Sequence, residues 1–76
     1  MSEPNNIQSR IAAYLVALVG EFASTYSLNN KQAYRYLELH KGIDFAIDFY
    51  DVEHTLPFPD AVNDVAQYCR NNGGQL

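Results

Sequence analysis

Apolar residues recur at steps of three and four along the first third of the chain, and that spacing constrains the fold most. Ile7, Ile11, Tyr14, Leu15, Leu18, Phe22 and Tyr26 fall on one stripe of a 3.6-residue helix. The pattern predicts a long helix from about Asn6 to Tyr26, with residues 1–5 as a disordered start. The flank formed by Ala13, Ala17, Gly20 and Ser24 is small. Such a flank either admits a second helix at close range or simply faces solvent.

The rest of the chain reads as three shorter helices. Asn29 fits an N-cap, and Gln32 three positions later completes a capping box, with Leu28 and Ala33 placed for a hydrophobic staple. The helix this opens, from about Asn30 to His40, puts Ala33, Tyr36, Leu37 and His40 on one face. Gly42 suits the left-handed position that ends it, and His40 and Lys41 sit at the negative end of its dipole. From Ile43 to about Glu53, strict alternation fails at Phe45-Ala46-Ile47 and at Phe49-Tyr50, which favours helix over strand. Asp44 is placed to cap that third helix. Phe45, Phe49 and Val52 would face the core, with Ile43, Ile47 and Tyr50 on a second side. Pro57 and Pro59 stiffen the next connector, and Pro59 at a first helical position followed by Asp60 opens a fourth helix. Its core face is Phe58, Val62, Val65, Ala66 and Cys69, and Gly73-Gly74 ends it. The expectation is an all-α, compact single-domain bundle of four helices over residues 6–72, with residues 73–76 as a C-terminal tail.

Size and charge then limit function. The 76 residues suffice for one domain, and 47% of them are hydrophobic, so the chain can build one small core. The formal net charge is −4, and Arg10, Lys31, Arg35, Lys41 and Arg70 are scattered, the opposite of a phosphate-binding patch. Nucleic-acid binding through a helix-turn-helix is therefore disfavoured. An acidic surface suits a basic protein partner. Cys69 stands alone, which excludes an intramolecular disulfide and points to the cytoplasm. The apolar run after Arg10 has the look of a signal-peptide core. Glu3 before it and Glu21 beside the Ala23 cleavage position argue for an ordinary buried helix, and the run is too short to span a bilayer.

No cofactor fingerprint, phosphate loop or paired metal motif is present. Asp44, Asp48 and Asp51 line one helical face, which attracts a basic partner more readily than it encloses a hard cation. His54 lies beside Asp51 and Glu53, but no activated nucleophile accompanies it, so a structural role at the Thr55-Leu56-Pro57 corner is favoured over catalysis. Cys69 reads as a small buried hydrophobe. Ten aromatic residues are too many for a core of this size to bury, and Tyr is favoured at protein interfaces. Tyr34, Tyr36, Tyr50 and Tyr68 are the candidates. The residues expected to form a partner-binding surface are Tyr34, Tyr36, Asp44, Asp48, Tyr50 and Asp51.

The segments Lys31-Gln32-Ala33-Tyr34-Arg35-Tyr36-Leu37, Lys41-Gly42-Ile43-Asp44-Phe45, Tyr50-Asp51-Val52-Glu53-His54-Thr55-Leu56 and Asp60-Ala61-Val62-Asn63-Asp64 resemble a family of short bacterial proteins classed as a domain of unknown function. The resemblance runs from the first helix to Gly74 and is most specific at Tyr50–Leu56. Pro57 departs from it, standing where a helix-capping Ser is expected. The resemblance implies a small helical cytoplasmic protein, often encoded beside a toxin that resembles ADP-ribosyltransferases, and hence an antitoxin or accessory subunit. The expected function is a non-enzymatic protein-interaction module without a cofactor. The alternative is a self-associating structural module that buries its long first helix in a homodimer.

Overall fold

The computed structural model describes residues 7–76; the expected disordered start at residues 1–5 and helix start at Asn6 lie outside them. The described chain is all helical: α1 (Ile7–Thr25), α2 (Asn30–Leu39), α3 (Gly42–Asp48), α4 (Tyr50–Glu53) and α5 (Phe58–Asn71). No single helix among these residues is long and apolar enough to cross a membrane.

Each boundary has a local cause. α1 gives way to a turn in which Ser27 takes a left-handed φ of 58°, and the chain direction swings by 104° into α2. Asn29 Oδ1 accepts the Gln32 amide at 2.8 Å while the Asn29 amide donates to Gln32 Oε1 at 2.9 Å, which is the expected capping box. α2 ends differently from expectation. Lys41, with φ of 67°, takes the left-handed position, and Gly42 opens α3 instead. Gly42 serves close packing: a Cβ there would meet Cys69 Sγ and Leu37 Cδ2 at 2.8 Å. Asp44 lies within the first turn of α3 and does not cap it. α5 starts one residue early, with Pro57 at its N-cap and Pro59 second in the helix. Its far end passes through Gly73, whose φ of 90° suits glycine.

The core is formed by Leu18, Phe22, Leu37, Val62, Val65 and Cys69, with Ala23, Ala33, Ala46, Ala61 and Ala66 filling the helix crossings. α5 is its spine and packs against both α1 and α3. One expected position of the α1 stripe is exposed. Ile7 is 52% exposed, whereas Val19 and Ala23 are buried. The tail is tied down. The Leu76 amide donates to Tyr36 Oη at 3.1 Å, Arg70 Nη1 donates to Leu76 O at 2.9 Å, and Leu76 packs on the core.

The stretch expected as one helix is two. Phe49, at φ −110° and ψ 23°, breaks it between α3 and α4. The face turned inward is Gly42, Ala46, Tyr50 and Glu53, with Phe45 packed at its edge as expected; Phe49 and Val52, expected in the core, are exposed. The reason is distance. α3 lies so close to Cys69 and Val65 of α5 that only a face of small residues fits there. Phe45 is left half-buried, with its ring stacked on Tyr68 at 4.7 Å.

Candidate functional site

This inversion creates an exposed surface of mixed character. Ile47, Phe49 and Val52 are solvent-exposed, interleaved with exposed Asp44, Asp48 and Asp51. Large apolar side chains grouped in six consecutive positions and bounded by one sign of charge are the makings of a protein-binding surface. Among the described residues, no group of three or more His, Cys, Asp or Glu side chains can hold a metal ion, these three aspartates included.

α4 is a single turn, and what holds it is on its inner side. The Tyr50 ring meets the edge of Tyr14 at 5.4 Å and lies flat against His54 at 4.2 Å, 8° from parallel. His54 Nδ1 is 2.6 Å from the Tyr50 carbonyl oxygen and donates to it as the Nδ1–H tautomer. The Thr55 hydroxyl closes the same turn by donating to the Val52 carbonyl at 2.6 Å. His54 thus packs at the corner after α4, as a structural reading of this residue expects. Tyr14 also stacks on Phe58, at 5.9 Å, so α1, α4 and the start of α5 share one aromatic junction.

Glu53 is the charged residue buried in that junction, at 4% exposure. Burial raises its carboxyl, and the hydrogen bond and negative charge of Asp64 raise it further, to about 7. Among the described residues its Oε1 has no hydrogen-bond partner, nor does the buried Tyr14 hydroxyl. The Tyr14 hydroxyl is itself raised, first by burial and then by the charges of Glu53, Tyr50 and Asp64. A protonated Glu53 is compatible with this apolar setting, and its O–H supplies the donor that two carboxyl groups need to bond each other.

The six expected partner-binding residues separate in space. Asp44, Asp48 and Asp51 share the α3–α4 surface. Tyr50 is buried at 8% exposure and is not part of it, because the α3–α4 face is turned the other way. Tyr36 is half-buried, stacks on Phe22 and spends its hydroxyl on the Leu76 amide, so it is a packing residue. Tyr34 is exposed, but it stands in a different place, an apolar groove of about 370 Å³ between α1 and α2 lined also by Leu15, Val16, Val19, Asn30 and Lys31. Tyr68 is half-buried against Phe45. Phe49 and Val52, assigned to the core from their spacing, are the residues the sequence reading missed. The small pair Gly42 and Ala46, four apart, was the signal for them. His40, expected to serve the α2 dipole, has its Nδ1 3.0 Å from the Asn72 carbonyl and ties α2 to the end of α5. Cys69 is fully buried, and burial pushes its thiol up to about 11.

A family model described as a protein of unknown function, DUF3791, matches residues 13–72. The chain belongs to the DUF3791 family. The match spans all of the α3–α4 surface, the Tyr50–Phe58 side of the aromatic junction with Tyr14, and the Glu53–Asp64 pair of this DUF3791 domain, and leaves out the start of α1. No curated protein and no solved structure matches the chain.

Proposed function

We propose that this DUF3791 domain is a cytoplasmic, non-enzymatic protein-interaction module, an antitoxin-like or accessory subunit of a companion enzyme resembling ADP-ribosyltransferase toxins. The observation that carries the interaction reading is the exposure of Ile47, Phe49 and Val52 among Asp44, Asp48 and Asp51. Leaving three such side chains in water is unfavourable unless a partner covers them. The surrounding carboxylates select a partner segment that is apolar on one side and rich in Lys and Arg at its rim. The nature of the companion rests on the family resemblance, whose members are often encoded beside such a toxin.

The test is co-expression with the product of the adjacent gene, followed by capture through a tag on either protein. A complex that weakens with added salt and is lost in an Asp44→Lys, Asp48→Lys, Asp51→Lys variant supports the reading. A complex unaffected by that variant and by Val52→Asp removes this surface. The absence of any complex removes the companion.

A further inference from the structure

We infer that α1 pairs with the α1 of a second copy of this chain, antiparallel, about a two-fold axis passing between Leu15 and Val16. The proposal goes beyond the companion-binding surface and uses a different part of the molecule.

Across its nineteen residues α1 carries two charged side chains, Arg10 and Glu21. The rest of its outer face is uncharged, through Ala12, Ala13, Val16, Ala17 and Ser24, all exposed. Val16 is 76% exposed at the middle of this face, on the lip of the apolar groove that Leu15, Val19 and Tyr34 line. Gly20 lies on the same side, and a Cβ placed on it would meet nothing within 4 Å. A glycine inside a helix weakens it relative to alanine. Nothing among the described residues uses the space that Gly20 leaves.

The charges select the occupant. Arg10 and Glu21 are eleven positions apart, about three turns, so they lie on the same margin of α1. They are also equally far from the midpoint between Leu15 and Val16. A two-fold axis through that midpoint therefore sets each Arg10 opposite the partner's Glu21, twice over. Parallel pairing in register would instead put the two Arg10–Glu21 margins on opposite rims of the seam, where neither charge meets its complement. The same operation brings Val16 of each copy to the axis, at the mouth of the other copy's groove. A helix from an unrelated protein would need its own opposite charges at this spacing, whereas a second copy has them by symmetry. The acidic residues that give the chain its net charge of −4 lie mostly on α3, α4 and α5, away from this seam.

The experiment is sedimentation equilibrium of the full chain over a range of concentrations, with circular dichroism as the control for folding. The wild type is expected to dimerise. Val16→Glu, at an exposed position, is expected to leave helicity unchanged and shift the chain to monomer. Arg10→Glu and Glu21→Arg should each weaken the dimer by roughly tenfold, since each turns two attractive pairs repulsive. The Arg10→Glu, Glu21→Arg double variant should restore it. A wild type that stays monomeric at millimolar concentration overturns the proposal. So does a dimer indifferent to Val16→Glu, or one that the double swap fails to rescue. An α1 face protected from hydrogen exchange only when the companion protein is added would assign it to that protein instead.

Discussion

The Glu53 carboxyl lies buried beside Asp64 across the junction of α4 and α5, where burial first, and then the hydrogen bond and negative charge of Asp64, raise it to about 7. Glu53 is thus an internal tether for the turn whose outer side bears Asp51 and Val52.

Stability should therefore fall as pH rises. The folded-state carboxyl, at about 7, lies above its ordinary value of 4.5, so between these limits the folded chain binds more protons than the unfolded one. The contribution is whole below pH 4.5 and is lost as pH passes through about 7. The upper bound on the loss is about 3 kcal/mol. Urea denaturation at pH 5 and pH 8 measures it. Glu53→Gln keeps a donor for Asp64 and should flatten the profile across this window. An unchanged slope in that variant would assign the pH dependence to another group.

Gly42→Ala should destabilise the fold by about 1–3 kcal/mol, because the added methyl drives into Cys69 Sγ and Leu37 Cδ2 where α3 crosses α5. Gly20→Ala, made in the Val16→Glu background to remove pairing, should stabilise by about 0.5–1 kcal/mol, since its methyl enters open space. Thermal melts of the two variants should move in opposite directions.

Loss of the α2 cap should be felt throughout this small core. Asn29→Ala leaves the Gln32 amide without its acceptor and should cost about 1 kcal/mol. Asn29→Ser, which keeps a capping oxygen, should recover most of it, and a chemical denaturation midpoint reads both.

Cys69 should be inert to aromatic disulfide reagents at pH 8 in the native chain. Its thiol is buried and raised to about 11, so the reactive thiolate is scarce as well as inaccessible. Labelling should become complete on unfolding in guanidinium. Rapid native labelling would show that α5 opens locally, since the Cys69 side chain faces Gly42 of α3.

Much of this architecture was legible in the residues themselves. The three-and-four spacing of α1, the Asn29–Gln32 box, the proline entrance to α5 and the glycines after it are local signals, decided by the chain within one or two turns, and each appears where expected to within a residue or so. Exposure of Asp44, Asp48 and Asp51 was equally readable, since three ionised carboxylates on one face do not leave water unpaired. The face that residues 42–53 turn inward was not. By hydrophobicity alone Phe45, Phe49 and Val52 are the better core residues, and the small pair Gly42 and Ala46 is the one local sign against them. The separation between α3 and α5 decides it, because at that distance Gly42 and Ala46 fit and phenylalanine does not. With that choice made, Tyr50 and Glu53 are carried into the junction and Phe49 and Val52 are carried out. Sequence determined that this chain would be helical and where α2 and α5 begin; the packing distance between α3 and α5 determined which side chains remain for a partner.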